Sequence, residues 1–368
     1  MTSRMRKAIY RGSDEEARAL FARAAEVHVA TTGEDGQPIL RTVNAVLDED
    51  GGAIAFHGAP AGEKVEAVGR AAVVSASETV ASIPSWFVDP ERACPATTYY
   101  LSAQAHGVIE EVDDLDDKAR VLSALMAKYQ PEGRHAPIRA SDPLYRKAVA
   151  GVLVARVRFD RVASKVKLGQ NRPPGQRVRI LERLWERGRP EDVRAIALIL
   201  ERFPDLPVPA FLRAGEDRGL RLACSASAAD LDEAAALLEG AYWLGGFDRA
   251  QIRAVLARST ALVSARDRQG ALAGFARAMS DGRVAWIYDV VIAEPWRRSG
   301  VGTRLLELLL DHPAVRGVRH VRLGTRDAMG FYRRLGFRDL AEAPRHPWPT
   351  TEMILSRTRD EPRERIRT

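Results

Sequence analysis

Between Ile287 and Thr303 the sequence places a strand, a turn and a helix start in immediate succession. Ile287-Tyr288-Asp289-Val290-Val291-Ile292 has the β-branched and aromatic content of a strand, and Ala293-Glu294-Pro295-Trp296 ends it. Arg297-Arg298-Ser299-Gly300-Val301-Gly302-Thr303 then opens an amphipathic helix with Val301, Leu305, Leu308 and Leu309 on one face. The first N–H groups of a helix lack intrahelical partners and lie at the positive end of its dipole. Gly300 and Gly302 let backbone approach a ligand closely, and Arg297 and Arg298 add charge, so the turn has the parts of a pyrophosphate site. A strand-turn-helix with two glycines also serves plain packing, and a second segment has to decide between the two.

That segment follows the strand His320-Val321-Arg322-Leu323 and reads Gly324-Thr325-Arg326-Asp327-Ala328-Met329-Gly330-Phe331-Tyr332-Arg333-Arg334-Leu335-Gly336-Phe337. The Arg-x-x-Gly-x-Gly loop at Arg297 and the Phe-Tyr-x-x-x-Gly-Phe helix end at Phe331 together resemble the two signature segments of the GNAT acetyltransferase superfamily, over about Leu220 to Leu355. The resemblance implies transfer of an acetyl group from acetyl-CoA, held by Arg297 to Thr303, to a small-molecule amine. Such transfer needs a neutral amine, a stabilised oxyanion and a proton for the departing thiolate. Tyr332 matches the tyrosine that protonates the sulfur, although it also reads as a core aromatic at a helix end. Backbone amides around Val291 and Ile292 match those that polarise the thioester carbonyl. Asp289 is the first choice for a general base acting through water, with Glu294 and Asp327 behind it; a solvated carboxylate on a strand edge is the plainer reading of Asp289. Tyr242, Trp243, Tyr288 and Arg277 are candidates for the acceptor pocket, with buried core the competing role for Trp243. A polyamine, an amino acid, an antibiotic and a protein lysine all remain open as acceptors.

Three features stand together nearer the N-terminus: Pro38-Ile39-Leu40-Arg41-Thr42-Val43-Asn44, Phe56-His57-Gly58 with Gly62-Glu63-Lys64, and Pro95-Ala96-Thr97-Thr98-Tyr99-Tyr100-Leu101-Ser102. They resemble the FMN-binding split barrels related to pyridoxamine 5′-phosphate oxidase, especially the Nim group. Pro84-Ser85-Trp86-Phe87 and Lys165-Val166-Lys167-Leu168-Gly169-Gln170-Asn171-Arg172 are similar to PaiB-type FMN-binding proteins. The resemblance implies FMN held by Arg41, Thr42, Val43, His57, Lys64 and Ser102, and a homodimer with Tyr99, Ser102, Asn171 and Arg172 reaching the partner's cofactor. Cations and hydroxyls at Arg41, Thr42 and Lys64 suit a flavin phosphate; without the resemblance they read as surface strand charge, and His57 as a structural histidine. Haem, a variant among these barrels, stays open as a second cofactor. The substrate-binding C-terminal pattern of the oxidase proper is missing, which argues against pyridoxamine phosphate oxidation.

These residues need two scaffolds, and the 368-residue chain is long enough for two cores. An α+β chain is expected, with a split β-barrel over 1–172, a basic helical hairpin and linker over 173–218, a GNAT domain with a mixed sheet over 219–356, and a disordered charged tail over 357–368. Ser13 precedes Asp14, Glu15 and Glu16 as the N-cap of a helix over 14–25. Short runs of alternating pattern follow at Val27 to Thr31, Ile39 to Val46, Ala53 to His57, Ala72 to Ala76, Thr98 to Val112 and Val152 to Phe159, with a helix over Leu115 to Tyr129. In the second half helices are expected over Asp230 to Trp243, Asp248 to Ala257, Gly302 to Leu310 and Asp327 to Leu335. Strands are expected at Ala261 to Ala265, Ala271 to Met279, Val284 to Ala293 and Arg319 to Leu323.

Charge is concentrated in the middle. Arg156 to Arg221 holds sixteen basic and nine acidic residues, an excess equal to the net +7 of the whole chain. Val178 to Arg187 and Pro190 to Phe203 form a pair of helix-turn-helix size, so a DNA-binding regulator of PaiB type is the alternative function. Interleaved Glu182, Glu186, Glu191, Asp192 and Glu201 favour instead a hairpin with a solvated arginine face. Cys94 and Cys224 are too distant in sequence to suggest a disulfide framework or thiolate metal site. With no apolar run of membrane-spanning length and no secretory signal core, the expectation is a cytoplasmic protein.

Overall fold

The computed structural model describes residues 7–342. The chain divides into a large unit ending at Arg322 and a short one beginning at Leu323, and each is taken by itself. The expected tail over 357–368 lies outside the described residues.

Helix α1 (Asp14–Arg23) starts at a capping box: Ser13 Oγ accepts from Glu16 N at 3.0 Å, and the Glu16 carboxylate accepts from Ser13 N. Its buried face, Ala17, Leu20 and Phe21, lies against a seven-stranded antiparallel sheet. The strands are β1 (Val27–Thr32), β2 (Pro38–Val43), β3 (Ala45–Leu47), β4 (Ala53–Gly58), β5 (Ala71–Ile83), β6 (Thr97–Glu111) and β7 (Leu153–Lys167), in the spatial order β2-β1-β5-β6-β7-β4-β3. β2 and β3 occupy opposite edges although only Asn44 separates them in sequence, so the sheet has to curl until its edges meet: a split barrel. α2 (Glu63–Glu66) follows β4, and α3 (Leu115–Tyr129) closes over the Asn44 break. Tyr129 Oη accepts from Ala45 N at 3.0 Å and donates to Ala25 O at 2.7 Å, while Lys128 Nζ donates to Ala45 O at 2.8 Å. α4 (Arg146–Gly151), unexpected from sequence, leads into β7. β7 runs on to Lys167 rather than ending at Phe159. It passes a bulge opposite His106 and Gly107, where an added Cβ at Gly107 would stand 1.8 Å from Arg158 O.

The basic segment folds as α5 (Pro174–Arg187) and α6 (Asp192–Arg202), separated by the left-handed Gly188 at φ +66°. Arg179, Arg183, Arg189, Arg194 and Arg202 are exposed, in keeping with a solvated arginine face, whereas Arg187 is turned inward. Arg187 Nε donates to fully buried Asp192 at 2.9 Å, Arg187 Nη1 to Ser82 O at 2.8 Å, and the guanidinium lies 5.2 Å from the Phe87 ring. Arg194 pairs with Glu78, and Arg202 with Glu16 at 3.6 Å. On the other side Trp185 Nε1 donates to Asp311 at 2.7 Å, and Arg316 donates to the carbonyls of Trp185 and Glu186 at 2.7 and 2.6 Å. The hairpin is a connector tied to both neighbours.

A five-stranded mixed sheet follows, in the order β12-β11-β10-β9-β8, from β8 (Arg221–Ala223), β9 (Ala261–Arg266), β10 (Leu272–Ser280), β11 (Val284–Ile292) and β12 (His320–Arg322). α7 (Ala228–Leu238) stops five residues before Trp243, because Gly240 turns the chain at φ +81°. α7 and α8 (Arg249–Leu256) pack on Phe275 and Val291. The neighbouring Gly274 faces the opposite side, where its missing Cβ makes room for Leu305 of α9 (Val301–Asp311). The architecture is α+β, as expected. Among the described residues no helix is long and apolar enough to cross a membrane.

His312, just past α9, is 3% exposed and sits edge-on to Trp185 at 5.6 Å. Burial pushes its imidazole down to about 4. The unfolded chain takes up that proton near pH ~6.5 and the folded chain does not. The linked stability is therefore complete above that pH and is lost as pH falls toward 4. Denaturant titrations across this window should show a steeper acid loss in wild type than in His312→Gln; parallel slopes would refute the linkage.

Candidate functional site

The turn before α9 keeps its amides open. Gly300, the N-cap, takes φ +88° and ψ −1°, and no side chain caps the helix. Arg298 is also left-handed at φ +61°. Serine or aspartate at such a position would satisfy one amide and stabilise the helix by about 1 kcal/mol. Here the first amides of the helix have no side-chain cap. Arg297 and Arg298 are exposed, Ser299, Gly302 and Thr303 are half-buried, and Val301 anchors the first turn in the core. Ser299 Oγ donates to Trp296 O at 2.5 Å, tightening the turn.

β11 leads into this turn. It pairs with β12 in parallel from Val284 to Trp286, the whole length of that short strand, and continues to Ile292. On its other edge the register with β10 slips: Phe275 faces Val291, but Arg277 faces Tyr288. The extra residue makes a bulge at Asp289, whose φ is +51°. The Asp289 side chain is buried and both oxygens are engaged, Oδ1 by Trp243 Nε1 at 2.8 Å and Oδ2 by Arg277 Nε at 2.5 Å. Such a carboxylate is poorly placed to serve as a base. Glu294 is exposed beside the turn. Trp243 is not core: it is 48% exposed, stands edge-on to Tyr242 at 4.9 Å, and approaches the surface formed by Tyr288 and Trp286, whose rings stack at 6.0 Å. The Arg277 guanidinium lies 4.8 Å from the Tyr288 ring.

Tyr332 belongs to the short unit, in α10 (Met329–Arg334). It is half-buried between Phe331 and Phe337, at ring distances of 5.1 and 5.9 Å. Gly336 at φ +88° lets Phe337 N return to Tyr332 O at 3.2 Å. Asp327 is exposed in the same unit.

In the barrel a cleft of about 500 Å³ is lined by Thr42, Val43, Asn44, His57, Gly58, Lys64, Leu125, Met126 and Tyr129, among others. It unites four of the six expected flavin-binding residues. Lys64 crosses Gly58, where a Cβ would stand 2.7 Å from Lys64 Cδ. Partial burial, and then the Lys64 ammonium, hold His57 below the ordinary imidazole value, so it is neutral at pH 7. Arg41 and Ser102 do not line this cleft. Alternate strand residues point to opposite faces, so Arg41 turns away from Thr42 and donates to Thr31 Oγ1 at 2.7 Å. Ser102 pairs with Lys165, whereas His57 pairs with Val154. That separation is up to roughly 36 Å of extended strand. Around Ser102 the segment from Lys165 to Arg172 meets the segment from Pro95 to Ser102. Arg172 donates to Pro95 O at 3.1 Å, and Gly169 at φ +90° lies so close over Tyr99 that a Cβ would stand 2.5 Å from its hydroxyl. Burial pushes the Tyr99 phenol up to about 12. The α3 wall of the cleft, Leu125 to Tyr129, was missed as a site from sequence; its helical spacing announced a helix but not which strands it covers.

Exposed Cys94 and buried Cys224 are both free thiols, and burial pushes Cys224 up to about 12. Among the described residues no three His, Cys, Asp or Glu side chains are grouped to hold a metal.

Residues 13–166 match the family model for pyridoxamine 5′-phosphate oxidase, and residues 230–337 that for the acetyltransferase (GNAT) family. No curated protein matches the chain. Among solved structures, the FAD and heme binding protein of Mycobacterium smegmatis is 23% identical over 43% of this chain and 73% of its own, with a TM-score of 0.37. A flavocytochrome of Azotobacter vinelandii is 18% identical over 42% and 67%, at 0.36. A protein of Xanthomonas campestris described as belonging to the GNAT family is 24% identical over 34% and 92%, at 0.30. The chain joins a domain of the pyridoxamine 5′-phosphate oxidase type to a domain of the GNAT acetyltransferase family.

The left-handed cap sets an expectation for stability. Gly300→Ala forces a Cβ into φ +88°, a strain of about 1–2 kcal/mol. Its urea midpoint should fall accordingly, and a midpoint equal to wild type would mean that the turn relaxes without cost.

Proposed function

We propose that the C-terminal domain transfers an acetyl group from acetyl-CoA to a small-molecule amine, and that the barrel binds FMN. The observation that carries the first half is the uncapped start of α9 behind Arg298 and Gly300, just after the end of β11. In this reading the amides from Ser299 to Thr303 and the two arginines hold the pyrophosphate. The Val291 and Ile292 backbone meets the thioester. The acceptor amine gives up its proton through water to a carboxylate, for which Glu294 is the open choice, and its nitrogen attacks the thioester carbon. As the C–S bond breaks, the Tyr332 hydroxyl protonates the leaving thiolate. Tyr242, Trp243 and Tyr288 offer the acceptor an aromatic wall.

Bound in the barrel, FMN would supply redox chemistry that protein side chains lack. The cleft suits it: its volume is in the range of small-ligand sites, Lys64 and Thr42 face the phosphate, and Leu125 and Met126 offer apolar surface to the ring. In a homodimer Ser102, Asn171 and Arg172, remote from this cleft, would serve the partner's, whereas Tyr99 is buried beneath Gly169 and would not. The pairing of Arg187, Arg194 and Arg202 with Asp192, Glu78 and Glu16, and of Arg183 with Glu186, speaks against the DNA-binding alternative. We place the protein in the cytoplasm.

Tyr332→Phe should lower kcat by about 100-fold or more while calorimetry finds acetyl-CoA affinity unchanged; full turnover across the pH range would remove Tyr332 from this role. For the barrel, protein purified or reconstituted with FMN should absorb near ~450 nm, and Lys64→Ala should weaken retention. A chain that stays colourless in excess FMN would end the flavin assignment.

A further inference from the structure

The bulge in β11 is held by side chains rather than by glycine. A left-handed backbone at a non-glycine residue inside a strand is strained, so something must hold it. Here Asp289 at φ +51° is tied to β10 by Arg277 and to the segment after α7 by Trp243. Arg277 is itself 6% exposed, and its remaining nitrogens have Ser259 Oγ at 3.4 Å and the Tyr288 ring as neighbours. The bulge lies two residues before Val291. We propose that Asp289 is a positioning residue. With Arg277 and Trp243 it locks the bulge that aims the Val291 and Ile292 backbone, and the same lock sets the Trp243 ring as a fixed wall for the acceptor. It does not take the amine's proton.

This rests on the transferase reading, and the test separates the two. Calorimetry on the full chain uses two probes: acetyl-CoA, which spans both the turn and the bulge, and ADP, whose diphosphate reaches only the turn. Asp289→Ala leaves Arg277 buried without its partner and releases the Trp243 indole. It should weaken acetyl-CoA by about ten-fold or more and leave ADP affinity within about two-fold. Asp289→Gly combined with Arg277→Met removes both charges and lets glycine adopt the bulge. It should recover most of the lost acetyl-CoA affinity, whereas Asp289→Val with Arg277→Met, which cannot take that backbone conformation easily, should not.

A wild-type chain that binds neither probe would overturn the transferase reading itself. Wild-type binding of both, with Asp289→Ala indistinguishable from it, would overturn the lock alone. So would equal loss for both probes, which would mark a general structural defect. If Asp289→Ala does not fold, the comparison between the glycine and valine double variants decides: equal affinities refute the lock.

Discussion

A helix begins with N–H groups that have no carbonyl one turn back, and in the C-terminal domain the chain leaves them without a cap. Every feature around the start of α9 serves that condition. Val301, Leu305, Leu306, Leu308 and Leu309 bury one side of the helix, so its position does not depend on a cap. Gly300 and Arg298 take left-handed conformations that turn the backbone at the amides. β11 ends at Ile292, a few residues before the same point. A burial-driven helix can dispense with about 1 kcal/mol of capping energy, and that margin lets its first amides stay uncapped.

The barrel solves a different problem. A seven-stranded sheet would present two raw edges, and the single-residue break at Asn44 lets one stretch of chain serve both. The break exposes the Ala45 backbone, which Tyr129 and Lys128 satisfy from α3. The cleft is the space left beside that repair. Its chemistry follows from its position: one wall comes from strand ends carrying Thr42 and His57, the other from the last turn of a helix.

The transferase turn was legible in the sequence because its parts are contiguous; Arg297, Gly300 and Gly302 lie within six residues. The cap at Ser13 was legible for the same reason. What the sequence concealed is long-range. The polar run Arg158-Phe159-Asp160-Arg161 breaks the alternation of β7, and only its pairing with β6 across the Gly107 bulge carries the strand on to Lys167. Arg41 and Thr42 look like one phosphate grip in a linear string, but the pleat sends them to opposite faces. Asp289 reads as a free carboxylate until Arg277 and Trp243, 12 and 46 residues away, are folded against it. Arg187 reads as part of the hairpin's basic surface until its partner Ser82 is brought in from the barrel.

That hairpin alters what the fusion of two domains means. Trp185 reaches Asp311 at the end of the helix that starts at the phosphate turn, while Arg187, two residues on, grips the end of a barrel strand at Ser82. A gene boundary drawn through the proline-rich stretch after Phe203 would strip cover from Trp185, Leu184 and Ile180, which are buried in the intact chain. Trp185, stacked on Phe211 and edge-on to His312, would meet solvent if the chain were cut there, so the hairpin ties the folding of one domain to the presence of the other.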